Sequence, residues 1–101
     1  MVFAVDFDGT CCVNKYPEIG APRQPLIDFI KHLQDRGDRL ILWTCRSGAE
    51  LTAAVEWCAG LGLVFDAVND NLPDNIARYN NNCRKVWADY YIDDKNLPVV
   101  I

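Results

Sequence analysis

The chain has 101 residues, 50% of them hydrophobic and 24% charged, with a formal net charge of −4. A chain of that size builds one core rather than two, lacks the basic surplus of a generic nucleic-acid binder, and holds no apolar run near the ~18 residues of a membrane span. It carries no charged-then-apolar leader, which predicts a cytoplasmic protein. Its five cysteines, at 11, 12, 45, 58 and 83, form no CxxC pair, which predicts free thiols rather than a disulfide framework or a zinc site.

The elements follow in chain order. Residues 2–5 read as a buried strand. Residues 11–22, CCVNKYPEIGAP, are turn-rich and read as a small flap. A helix follows from Pro25 to about Arg36, with Leu26, Phe29, Ile30 and Leu33 on its apolar face and Gly37 as its stop. Residues 39–43, RLILW, form a second strand. Ser47 and Glu50 have capping-box spacing and open a helix that buries Leu51, Ala54, Val55 and Cys58 and ends near Gly60 or Gly62. A third strand spans 63–68, a short helix carrying Ile76 and Tyr79 starts near Pro73, and a fourth strand lies within 85–92. Residues 98–101 offer a fragment of a fifth. The alternation predicts an α/β fold, a three-layer doubly wound parallel sheet of Rossmann-like type in a single small domain. In such sheets ligands bind beyond the carboxyl ends of the strands.

Those ends collect charge. The first strand delivers Asp6 and Asp8, whose spacing of two puts them on one side of extended chain. Asp8-Gly9 is equally a common turn pair. A second acid pair, Asp93-Asp94, ends the last strand, and four carboxylates at one edge call for a cation. Oxygen-only ligands favour a hard divalent ion, magnesium before calcium. Thr44 ends the second strand, and Cys45-Arg46 lead into a helix start whose free N–H groups suit an anion. Lys85 adds positive charge. Thr44 also fits as an ordinary strand residue, Lys85 as a solvated lysine, and Arg46 as a partner for a carboxylate. A cation site beside an anion site describes a magnesium-phosphate centre.

At these residues the chain resembles the haloacid dehalogenase (HAD) superfamily of phosphotransferases. The resemblance rests on DFDGT at 6–10, a strand ending in Thr44, Lys85 ahead of the last acidic strand, and YYIDD at 90–94, in family order over nearly the whole chain. It implies Asp6 as a nucleophile forming an aspartyl-phosphate and Asp8 as general acid and then base. It implies Mg2+ held by the Asp6 carboxylate, the Asp8 carbonyl, Asp93 and Asp94. Thr44 and Lys85 would take the phosphoryl oxygens, and Cys45 and Arg46, at the helix start read above as an anion site, join them as phosphate-binding candidates. The family's cap domain has no room here: 36 residues separate Asp8 from Thr44 and 41 separate Thr44 from Lys85, and the elements fill both intervals. A capless member has an open site, suited to a bulky phosphorylated end or to a small substrate enclosed by a second subunit of a homo-oligomer. Asn14, Lys15 and Tyr16 of the flap are the substrate-contact candidates. Only seven residues follow Asp94, so 98–101 supply a minimal last strand or the chain is a shortened one.

Other phosphate chemistries fit less well. A cysteine nucleophile loop needs Arg six positions after Cys, where Pro17, Glu18, Leu51, Val64 and Asp89 stand instead. His32, the only histidine, falls within the first helix as a surface residue. A phospho-receiver domain places its accepting Asp on the third strand, which here ends Asp66-Ala67-Val68-Asn69. The remaining alternative is a member that binds magnesium and phosphate without turnover.

Overall fold

The computed structural model describes residues 1–99. Among them, four parallel strands form one sheet, in the order Ala67–Val68, Arg39–Leu42, Val2–Val5, Tyr90–Ile92, and an antiparallel pair, β2 (Cys12–Lys15) and β3 (Glu18–Pro22), stands apart from it. The main-sheet strands are β1 (Val2–Val5), β4 (Arg39–Leu42), β5 (Ala67–Val68) and β6 (Tyr90–Ile92). β1 is a continuous apolar run with every residue buried, as a central parallel strand must be. It pairs with β4 from Val2↔Arg39 to Val5↔Leu42 and with β6 from Phe3↔Tyr90 to Val5↔Ile92.

Helices α1 (Gln24–Asp35), α2 (Gly48–Gly60) and α3 (Pro73–Tyr79) connect the strands. On one face of the sheet, Phe3, Val5, Leu40 and Leu42 pack with Ile27, Ile30 and Leu33 of α1 and with Ala54 and Cys58 of α2. On the other, Val2, Ala4 and Ile41 pack with Leu72, which caps α3, and with Val86. This is an α/β domain of Rossmann-like type. The chain leaves β1 toward β4 and β5, then returns to β6 on β1's other side. The strand order therefore reverses between β1 and β6, the place where such sheets open a crevice for ligands.

Four expectations shift. The buried face of α1 is Ile27, Ile30 and Leu33, with Leu26 partly buried, whereas Phe29 is 49% exposed. Replacing Ile27 by Ala should cost about 2–5 kcal/mol in chemical denaturation. Phe29→Ala should cost much less, and equal losses would contradict this orientation of α1. Ser47 does cap α2, but its side chain makes no capping hydrogen bond. Strands β5 and β6 are shorter than expected because carboxylates take over ladder positions. Asp66 Oδ2 accepts the Leu40 N–H at 2.8 Å, and Asp89 Oδ2 accepts the Val2 N–H at 2.7 Å. Pro98 and Val99 lie outside any strand, and the rest of the expected fifth strand, 100–101, lies outside the described residues.

The flap is a β-hairpin, β2 (Cys12–Lys15) and β3 (Glu18–Pro22), with a register shift between Cys12 and Asn14. Gly20 permits the close approach of its strands, since a Cβ there would sit 2.1 Å from the Val13 carbonyl oxygen. The hairpin stands directly after Asp8, so its tip lies over the carboxyl end of the sheet.

Candidate active site

Asp6 follows β1 directly, and its N–H donates to the Ile92 carbonyl at 2.9 Å, which ties the ends of β1 and β6 together. Asp93 and Asp94 follow β6. The carboxylates of Asp6, Asp93 and Asp94 come together, with one oxygen from each lying within 4.8 Å of the others. Thr10 organises this group. Its Oγ1 lies 2.9 Å from Asp6 Oδ2 and 3.1 Å from Asp94 Oδ1, and it accepts the Asp94 N–H at 3.0 Å. Thr10 is only 4% exposed and belongs to the site, although the sequence marks it only as the last residue of the DFDGT run. Gly9 lets the chain turn between Asp8 and Thr10 at φ +86°, with Asp94 so close that a Cβ would meet its Oδ2 at 2.5 Å.

The cluster is short of positive charge. Burial, then the charge of Asp93 and a hydrogen bond shared with Asp94, push Asp6 up to about 6, against the opposing hydrogen bond from Thr10. Burial acts the same way on Asp94, but hydrogen bonds from Thr10 and Asp6 outweigh it and hold Asp94 below the ordinary value. The two carboxyls thus titrate as a coupled pair, with Asp6 pushed toward its neutral form and Asp94 held toward its ionised one. Three clustered carboxylates, one of them forced toward its neutral form, fit a hard divalent cation.

Asp8 stands apart from the four-carboxylate edge expected from the sequence, whereas the resemblance implied only its backbone carbonyl as a ligand. Its carboxylate lies outside this group and forms a two-pronged ion pair with Arg46, Nε to Oδ2 at 2.8 Å and Nη2 to Oδ1 at 2.7 Å. Arg46 leaves the expected phosphate-binding set and takes the alternative reading the sequence offered, partner to a carboxylate. The guanidinium has five N–H donors, and the other three point at carbonyl oxygens of Pro17 (3.1 Å), Glu50 (3.3 Å) and Glu18 (2.9 Å). At 2% exposure, with every donor engaged, it has none left for a phosphoryl group.

A cleft of about 580 Å³ opens beside the cluster, lined by Asp6, Asp8, Asp93, Thr44, Cys45, Arg46, Asn14, Tyr16 and Lys95. Thr44 is fixed from two sides. Its N–H donates to Asn69 Oδ1 at 2.8 Å, and its Oγ1 accepts the Arg46 N–H at 3.1 Å, which leaves the hydroxyl proton to donate elsewhere. Asn69, at the end of β5 with φ 51°, also donates to the Arg46 carbonyl at 3.3 Å and so braces the whole 44–46 turn. Cys45 is exposed within the cleft. Of the flap candidates, Asn14 and Tyr16 line the cleft and Lys15 does not, as the alternation of extended chain requires.

Lys85 is also absent from this lining. Its ammonium lies over the Tyr91 ring, 5.4 Å from the centroid. The irregular chain before Tyr90 carries it away from the carboxyl end of β6. Lys95, just beyond the acid pair, is the lysine at the cleft, with Nζ 3.8 Å from Asp94 Oδ2.

No protein-family model and no curated protein matches the chain. Among solved structures it is similar to a conserved protein coded by a locus of Bacteroides thetaiotaomicron, at 42% sequence identity and a TM-score of 0.86. The match covers 96% of this chain and 78% of that one. Identity at that level, spread over nearly the whole chain and carried by the same fold, shows that the chain belongs to the family of the conserved Bacteroides thetaiotaomicron protein.

Proposed function

We propose that this protein is a HAD-type, magnesium-dependent phosphomonoester hydrolase without a cap domain. The reading is carried by the meeting of Asp6, Asp93 and Asp94 at the strand-order reversal, where Asp6 and Asp93 also line a cleft with Asp8 and Thr44. Asp6, Asp93 and Asp94 would hold Mg2+, which when bound supplies positive charge to offset that of the carboxylates and the phosphate.

The chain's own residues account for the chemistry. The Asp6 carboxylate attacks phosphorus and the ester P–O bond breaks. Asp8 gives a proton to the departing oxygen, then takes one from the water that attacks the phosphorus of the aspartyl-phosphate. Free phosphate leaves and the Asp6 carboxylate is restored. Thr44, braced by Asn69, donates its hydroxyl to a phosphoryl oxygen. Lys95 takes the cationic role expected of Lys85, because it is the lysine on the cleft wall. Asn14 and Tyr16 face the rest of the substrate, a phosphorylated molecule.

A second reading, binding of magnesium and phosphate without turnover, draws on one observation: both oxygens of Asp8 are engaged by Arg46. The two readings part on release of inorganic phosphate from 4-nitrophenyl phosphate. Hydrolysis that requires Mg2+ and stops in chelator is expected. Thr44→Ala should lower kcat/KM by about 10- to 1000-fold, the range for losing one oxyanion donor. Tight phosphate binding with no release would favour the second reading.

A further inference from the structure

Arg46 draws three separate parts of the chain to one point. Asp8 comes from the end of β1, Pro17 and Glu18 from the hairpin tip, and Glu50 from the first turn of α2. Two aromatic rings flank the guanidinium, Phe7 at 5.0 Å and Tyr16 at 5.1 Å from centroid to Cζ. Phe7 is fully buried and belongs to the core, whereas Tyr16 is 58% exposed and faces the cleft. One Nη2 atom serves both Asp8 Oδ1 and the Glu18 carbonyl, so the hairpin tip and the Asp8 carboxylate are separated by a single nitrogen.

We infer that Arg46 is a positioning residue that docks the hairpin over the cleft and fixes Asp8 in the same act, so that neither can be displaced without loosening the other. The inference rests on the role proposed above for Asp8 as proton carrier. It adds that the hairpin, with Asn14 and Tyr16, does the work of a covering element by being held to the catalytic aspartate itself. The planar fork is what permits this: lysine has three donors on one nitrogen and cannot span a carboxylate and three carbonyls at once. Coupling of this kind is reciprocal, so a change at Asp8 must be felt in the hairpin and the reverse.

Two variants test the inference in the intact chain. Asp8→Asn keeps the shape of the side chain and removes the charge that orients the fork. Arg46→Lys keeps the charge and removes the fork. Amide hydrogen exchange of residues 12–22, read by mass spectrometry, should rise at least tenfold in both variants, with exchange in β1 and β4 unchanged. Unchanged exchange in the hairpin overturns the inference, and so does a rise spread evenly over β1 and β4, which marks general destabilisation. This arm stands even if wild-type protein releases no phosphate, which would defeat the hydrolase reading alone. The kinetic arm compares esters. A displaced proton carrier matters most when the leaving oxygen is a poor leaving group. Arg46→Lys should therefore lose at least tenfold more kcat/KM on glycerol 2-phosphate than on 4-nitrophenyl phosphate. Equal losses on the two esters overturn the placement of Asp8 by Arg46.

Discussion

Asp6→Asn is expected to abolish phosphate release and, in chelator at pH 8, to make the protein more stable than wild type. The two effects share a cause. Asp6 is raised to about 6 by burial among acids, so its proton stabilises the metal-free fold below the ordinary value of 3.8. That contribution is lost as pH rises through about 6, because the fold must then hold an ionised Asp6 that the unfolded chain leaves in water. A rise from 3.8 to about 6 corresponds to about 3 kcal/mol, and solvent access at the cleft reduces this to roughly 1–2 kcal/mol. Asparagine removes the charge while keeping an oxygen for Thr10 and offering an N–H to Asp94. Magnesium should restore the wild type by binding the folded state, by about 2.7 kcal/mol at a hundredfold excess over its Kd, and should leave Asp6→Asn nearly unmoved. Thermal melts from pH 4 to 9, with chelator or Mg2+, read all of this. A variant less stable than wild type at pH 8 in chelator would contradict the described electrostatics. Stability given up for activity in this way is common where charges are concentrated for function.

Gly9→Ala should damage the carboxylate cluster more than the fold. The backbone at φ +86° disfavours any side chain, at about 1–2 kcal/mol. The larger effect is local: the new Cβ would meet Asp94 Oδ2 at 2.5 Å, and that carboxylate, rather than the backbone, must move. Displacing it breaks its contact with Thr10 and withdraws one of three carboxylates from the cluster. A fall in Mg2+ affinity of about 10- to 100-fold is expected, in line with losses at supporting positions of metal sites. Calorimetric titration with Mg2+ measures it, and an unchanged affinity would remove Asp94 from the site.

Much of this site could be read along the chain because its parts are local. Asp6 and Asp8 sit two apart after a run whose apolar continuity marks a central strand, and Asp93-Asp94 follow a second strand that the parallel topology sets beside the first. Thr44 was legible for the same reason. Arg46 was not. Its neighbours in sequence pointed to an anion, while its partners are Asp8, 38 residues away, and backbone carbonyls, which leave no trace in side-chain identity. Lys85 suggested itself as the cleft lysine because it precedes the last acidic strand, as the resemblance implied. With β6 beginning only at Tyr90, the lysine beyond the acids reaches the cleft instead. Thr10 stood out only as the last residue of the DFDGT run, because its contacts with Asp6 and Asp94 close only when β1 and β6 pair. The shortening of β5 and β6 had a similar origin, since Asp66 and Asp89 act as ladder partners through their side chains.

The central claim is that Asp6 carries the phosphoryl group, and acid-quenched mass spectrometry during turnover of 4-nitrophenyl phosphate with Mg2+ tests it most directly. Trypsin cuts after Lys15 and places Asp6 on the amino-terminal peptide. That peptide should gain one phosphoryl group in the wild type and lose it in chelator, and Asp6→Asn should show neither the adduct nor released phosphate. Continued phosphate release by Asp6→Asn would contradict the account.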